Sequence, residues 1–300
     1  MRYTINFIYL LNLIAIIYCK KIERVLFLGL DGAGSFHTKI DTPNVDRLLK
    51  SGIYCDYASA MDPTMSGENW GSMLHGVIPS KHGLNNDIAD NYPYPEDSPY
   101  PSIFKIIYQQ DPKAKMASFA RWPAINTGII ELSVPMHRVS NLSDDDNIGP
   151  MLKYLRANGT DSKLMYFYFG DIDNAGHNMK WMTPIYKINY KKVDAYIGLI
   201  LDALDVLNIR DTTLVIIAAD HGGIGYGHGG TIKFERNVLF GISGPNINTK
   251  KLHDNAVRNM DAAAIILKSL NYQIPDYFDA KYPKFQQNRN IFVKLIYRQR

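Results

Sequence analysis

The chain is poor in several things, and each shortage excludes a class. Two cysteines in 300 residues cannot form a disulfide framework. The formal net charge is only +4, with Lys and Arg interleaved among Asp and Glu, so there is no basic stripe for a nucleic-acid backbone. No internal repeat and no low-complexity segment is visible, which excludes solenoids and fibrous chains. No apolar run closes the chain, which ends Tyr297-Arg-Gln-Arg300, so a lipid-anchor signal is not expected. What is present is ordinary for a globular protein: 46% hydrophobic and 21% charged residues, in a 34.0 kDa chain able to bury a large core without staples.

The N-terminus differs from the rest. Residues 1–19 carry one charge, Arg2, then a mostly apolar run ending at Lys20 and Lys21. The run is short for a membrane span of about 20 residues and reads as a cleaved secretory signal peptide, with a retained anchor as the alternative. No stable membrane span is then expected in the mature chain. Cleavage after Cys19 leaves Cys55, expected to be a small core residue. Two N-x-[ST] triplets, at Asn141 and Asn158, become glycan sites in a secreted chain.

Four apolar runs, at 25–30, 165–169, 214–219 and 238–242, each stop at a turn: Asp31-Gly32, Gly170 to Asp173, Asp220-His221-Gly222 and Ser243-Gly244. Continuous runs of this kind predict parallel strands buried on both faces. Helical spacing lies between them, from Thr42-Pro43 to Lys50, over 186–207 and over 261–270. The alternation predicts an α/β fold with a mostly parallel central sheet and helices on both faces. Residues 85–101 and 126–150 read as long loops that set specificity, and Asp144 to Asp146 as a solvated stretch.

Three strands end in aspartate: Asp31, Asp173 and Asp220. Ligands of open parallel sheets bind beyond those ends. His177 follows Asp173 by four residues, His221 is next to Asp220, and His228 sits in a glycine-rich turn. Taken singly, such an Asp is a cap and such a His a hydrogen-bonded core residue. Taken together, they form an oxygen and nitrogen donor set that suits Zn or Mn. A hydroxyl between an apolar segment (53–60) and a helical one (70–74) would lie at the positive end of a helix, where Thr64 and Ser66 both qualify as nucleophile or merely as cap. Asp171 competes with Asp173, although only Asp173 has the four-residue spacing to His177. Trp70, Trp122 and Trp181 are expected in the core, with stacking on a base or sugar as the alternative, and His82 is expected to pack its turn.

In order, Leu28-Gly-Leu-Asp-Gly32, Pro63-Thr-Met-Ser-Gly-Glu-Asn69, Gly76-Val-Ile-Pro-Ser-Lys-His-Gly83, Trp122-Pro123, Asp173-Asn-Ala-Gly-His177, Ala219-Asp-His-Gly222 and Gly227-His-Gly-Gly230 resemble the alkaline phosphatase superfamily, in its type I phosphodiesterase/nucleotide pyrophosphatase branch. The resemblance implies an alkaline-phosphatase-like fold and two divalent cations, zinc or manganese. One would be held by Asp31, Asp220, His221 and the bridging nucleophile, the other by Asp173, His177 and His228. It places the nucleophile at Ser66, passing through a phosphoseryl intermediate, and makes Asn69 a donor to a phosphoryl oxygen. It departs from the pattern in having serine where many relatives have threonine, and Glu68 where a proline is usual. Ser66-Gly-Glu-Asn-Trp70 lacks the Pro and Arg of a sulfatase site. Phosphate diesters are the expected substrates, small nucleotide, lipid or sugar esters, with a phosphate monoesterase or a non-catalytic binding module as alternatives. Residues 20–300 are read as a single catalytic domain. Oligomeric state is left open.

Overall fold

The computed structural model describes residues 21–140 and 143–283. The N-terminal segment read as a signal lies outside these residues, as does Asn141. In chain order the larger elements are β1 (Arg24–Leu30), α1 (Pro43–Lys50), β2 (Ile53–Ser59), α2 (Ser66–His75), α3 (Asn86–Asn91), α4 (Ile103–Gln110), β3 (Lys115–Ala120), β4 (His137–Ser140), α5 (Asp144–Asn158), β5 (Ser162–Phe169), α6 (Asp171–Met179), α7 (Pro184–Val206), β6 (Thr213–Ala219), β7 (Asn237–Ser243), β8 (Lys250–Lys251) and α8 (Ala262–Ser269).

The strands form one sheet in the order β4-β3-β5-β1-β6-β7-β2-β8. β1 and β6 are buried at all seven positions, which is why their sequences run apolar without alternation. Full burial of each large aliphatic or Phe side chain is worth about 1.5–3 kcal/mol. Helices α1, α5, α6 and α7 contact one another on one face, and α2, α3, α4 and α8 on the other. Asp194 of α7 accepts hydrogen bonds from the backbone of Asn44 and Val45 (3.1 and 2.8 Å), fixing the start of α1. Gly29 is required where it stands. A Cβ there would lie 2.7 Å from the Trp70 ring, which packs α2 onto β1.

Three expectations are corrected. β7, the run at 238–242, is antiparallel to both β6 and β2. An apolar run buried on both faces carries no signal of direction. Residues 85–101 hold helix α3, capped by Asn85, whose side chain accepts from Ile88 N. Residues 126–150 hold most of a π-turn (Ile125–Ile129), β4 and the start of α5. Asp144 is not solvated. It is fully buried at the start of α5 and accepts from the backbone N–H of Gly170 and Asp171 (3.0 and 2.9 Å). Cys55 is buried in the core with its thiol pushed up by burial, and its Sγ donates to His253 O (3.3 Å).

Candidate active site

β5, β1 and β6 are neighbours in level register, Leu30 pairing with both Phe169 and Ala219. The residues just past those ends therefore meet. Asp31 follows β1 directly, Asp220 follows β6, and Asp173 lies in the first turn of α6. Gly32 turns the chain at φ 65°, and a Cβ there would strike Asp173 at 2.7–2.8 Å.

Each aspartate leaves one oxygen buried and without a hydrogen-bond partner: Asp31 Oδ1, Asp173 Oδ1 and Asp220 Oδ2. For two of them the other oxygen is anchored. Asp31 Oδ2 accepts from Trp70 Nε1 (3.2 Å) and the Tyr168 hydroxyl, and Asp220 Oδ1 accepts from the N–H of Gly32 (3.0 Å) and His221 (2.8 Å). The three imidazoles repeat one device. Nδ1 of His221, His228 and His177 lies 2.9, 2.7 and 2.9 Å from the carbonyls of Gly222, Thr64 and Tyr226. Donation to a carbonyl puts the proton on Nδ1 and leaves the Nε2 lone pair free.

The free atoms converge. Asp31, Asp220 and His221 each offer a donor atom with all three atoms within 4.8 Å of one another, and so do Asp173, His221 and His228. His177 Nε2 lies 3.0 Å from His228 Nε2 and 3.5 Å from Asp173 Oδ2. Burial pushes the carboxyls of Asp31, Asp173 and Asp220 above their usual range, and the negative charge of Asp31 adds to the shift of the other two. Burial pulls the imidazoles of His221 and His228 down to about 3. Packed carboxylates with orphaned oxygens, beside neutral imidazoles, need cationic charge between them. The residues fit divalent cations, and the O/N donor set suits Zn or Mn.

Of the two candidate hydroxyls, Thr64 is committed to structure. Its Oγ1 donates to Gly230 O (2.8 Å) and accepts from Gly229 N (3.0 Å), so it fixes the turn that carries His228. Ser66, the first residue of α2, places Oγ 3.0 Å from His221 Nε2. Asn69 is corrected. Its Nδ2 is spent on the carbonyls of Met61, Pro63 and Met65, and its Oδ1 accepts from Met61 N (2.7 Å) and Asn259 Nδ2 (2.8 Å). No N–H remains for a phosphoryl oxygen. Asn69 instead knots the nucleophile loop and, through Asn259, ties it to the carbonyl of Asp220 (3.1 Å).

The carboxamide bonded beside Ser66 in the folded loop is that of Asn86, whose Oδ1 accepts from the adjacent Gly67 N at 2.6 Å. The sequence reading missed it because 85–101 looked unstructured. The Asn85 cap ahead of a short Asn/Asp helix was the available signal. Asp171 does not compete for the cluster. It binds Arg121 Nε (2.6 Å) and the N–H of Asp144 (3.2 Å). Trp70 and Trp181 are buried and brace the site through Asp31 Oδ2 and Gly32 O (3.0 Å), while Trp122 is partly exposed and bonded to Asp90 (2.7 Å). His82 packs its own turn, accepting from Leu84 N (3.0 Å).

Residues 25–236 match the family model for type I phosphodiesterase / nucleotide pyrophosphatase. By sequence the chain is similar to mouse ectonucleotide pyrophosphatase/phosphodiesterase family member 7, 24% identical over 221 residues that make up 67% of this chain and 50% of that protein. It is also similar to a mouse bis(5'-adenosyl)-triphosphatase, 26% identical over 66% of this chain and 47% of that protein. The chain spans about half the length of these relatives. Its fold is like that of murine ectonucleotide pyrophosphatase/phosphodiesterase 5 (TM-score 0.69, 15% identity, 84% of this chain and 96% of that one). It is also like that of a 2-O GAG sulfatase (TM-score 0.70, 13% identity, 86% of this chain and 73% of that one).

Proposed function

The chain belongs to the type I phosphodiesterase / nucleotide pyrophosphatase family, and we propose that it hydrolyses phosphate diesters through a phosphoseryl intermediate on Ser66. The observation that carries this reading is the Ser66 hydroxyl, 3.0 Å from His221 Nε2 at the start of α2, beside three orphaned carboxylate oxygens. Two divalent cations, one on Asp31, Asp220, His221 and Ser66 and one on Asp173, His177 and His228, would supply Lewis acidity at the attacking and leaving oxygens.

The chain's own groups do the rest. Ser66 Oγ, its proton passed to solvent, attacks phosphorus, and the Oγ–P bond forms as the bond to the leaving alkoxide breaks, the alkoxide taking up a proton from solvent. Water then attacks the phosphoserine, giving up a proton, and the P–Oγ bond breaks as Ser66 Oγ is reprotonated. The N-terminus of α2 places partial positive charge against the phosphoryl oxygens, and the Asn86 carboxamide lies beside the same backbone. Asn69 and Asn259 hold the nucleophile loop at a fixed distance from β6. Arg121, a guanidinium near Asp173, is already bound to Asp171. It is not free to neutralise the extra charge of a monoester, which favours a diester.

The natural substrate is read as a small phosphodiester of the nucleotide class, because the relatives' names point there. We read the chain as a secreted glycoprotein with a single catalytic domain over 20–300, with residues 1–19 as the address and Asn158, half-exposed at the end of α5, as a glycan site. The test is kinetic. With zinc or manganese supplied, a nitrophenyl-nucleotide diester should turn over faster than a nitrophenyl monoester. The reverse order overturns the diesterase reading, and no turnover with fewer than two bound cations favours a binding module.

A further inference from the structure

Six of the eleven large hydrophobic side chains exposed among the described residues lie on two short segments at the mouth of the cleft: Met179 and Ile185 on one, Ile224, Tyr226, Ile232 and Phe234 on the other. Each is 46–58% exposed. The segments form one rim. Trp181 N donates to Gly225 O (2.9 Å), the Trp181 ring covers Gly223, and Gly222 N donates to Glu235 O (2.8 Å). The turn Phe36–Lys39 joins them, with Phe36 edge-on to Tyr186 (5.9 Å) and Lys39 over Phe234 (5.6 Å). Contiguous exposed apolar area of this kind marks a binding surface rather than scattered surface residues.

The exposed charge on the two apolar segments is positive. Between Asp173 and Asp194 there are four lysines and no acid. Between Asp220 and Arg236 the only acid is Glu235, which is buried. Lys180 lies 5.0 Å over the Tyr226 ring and Lys39 over Phe234, so cations sit beside the aromatics that would insert. Asp41, two residues beyond Lys39, is 3.6 Å from Lys191. Lys191 and Lys192 are paired with Asp41, Asp145 and Asp171, but apolar side chains interleaved with Lys39, Lys180 and Lys233 complement an interface of acyl chains and negative headgroups. A second copy of this chain is a poorer complement, because self-pairing would set lysines against lysines.

We propose that this rim docks the catalytic mouth onto an anionic bilayer surface. The end of α6 that carries His177 and the turn that carries His228 would then face the membrane plane. The docking itself does not depend on the hydrolytic reading, since binding is measured without turnover.

The full chain is sedimented with vesicles of phosphatidylcholine alone, or with phosphatidylserine at about one part in three, at physiological ionic strength. The parent should pellet with the anionic vesicles and not with the neutral ones. Ile232→Ser with Phe234→Ser, and Lys39→Glu with Lys180→Glu, should each lose at least tenfold in partitioning with unfolding temperatures unchanged. Val206→Ser, equally apolar and 80% exposed at the end of α7, should bind like the parent. Either double variant binding like the parent, as it would if the N-terminal segment carried the binding, overturns the proposal. So does a parent that ignores vesicles, or one that forms a concentration-dependent dimer which the double variants lose.

Discussion

The two proposed ligand groups are built differently. Asp31, Asp220 and His221 stand directly on the ends of central strands, with side chains 0–3% exposed. Their orientation is set by buried partners: the Trp70 indole, the Tyr168 hydroxyl and backbone amides. Asp173, His177 and His228 come from a helix and a glycine-rich turn, and the His177 side chain is 43% exposed. Nδ1 of its imidazole and of His228 is hydrogen-bonded to a backbone carbonyl, and both rings lie edge-on to the Trp181 indole. The first group is preorganised by the core throughout, whereas the second opens to solvent at His177 and keeps Asp173 and His228 largely covered (20% and 5% exposed). Rigid elements hold a site more exactly than loops do.

Several substitutions would break or sharpen this contrast. The largest effect is expected at the nucleophile: Ser66→Ala should lower kcat by at least about 10⁴-fold. Thr64→Ser, which keeps both hydrogen bonds, should stay near the parent, and an equal loss in both would remove the distinction drawn between the hydroxyls. In the buried group, His221→Ala should cost about 10³-fold in kcat, and added metal should not restore it, because its Nε2 also neighbours Ser66. In the open group, His177→Ala should weaken metal affinity by about 10–100-fold and be rescued by excess zinc or manganese, as read by metal titration of activity. If rescue is equal at both histidines, the contrast fails. Tyr168→Phe removes one partner of Asp31 and should lower metal affinity by about tenfold with kcat at saturating metal nearly unchanged.

The smallest effect is on stability. Asp144 holds the backbone that begins α6, and burial followed by repulsion from Asp171 raises its pKa from 3.8 to about 7. The folded state therefore keeps a proton that the unfolded chain releases near pH 4. The stabilising contribution is full below about pH 4 and is lost as pH rises to about 7. Asp144→Asn should flatten that part of the Tm–pH profile. A slope identical to the parent's would contradict the assignment.

Much of this was legible in the sequence for a physical reason. A fully buried strand must be apolar throughout, so β1, β5 and β6 announced themselves, and the Asp after β1 and β6 and just past β5 marked the crevice. Four things were not legible. The direction of β7 leaves no trace in a run buried on both faces. Helix α3 has six residues, too few to show a period. That the folded loop consumes the Asn69 carboxamide and brings Asn86 to Gly67 is not encoded in the spacing from Ser66. Asp144 looked solvated among three aspartates and is buried because Gly170 and Asp171 need its oxygens.

The central claim is covalent, so the direct measurement is covalent. Metal-loaded enzyme is mixed with a nitrophenyl diester, quenched in acid within the first turnovers, digested and mapped by mass spectrometry. The account predicts a phosphoryl adduct on Ser66, lost in Ser66→Ala and kept in Thr64→Ser. Steady turnover with no adduct at any quench time, or an adduct on Thr64, would contradict it.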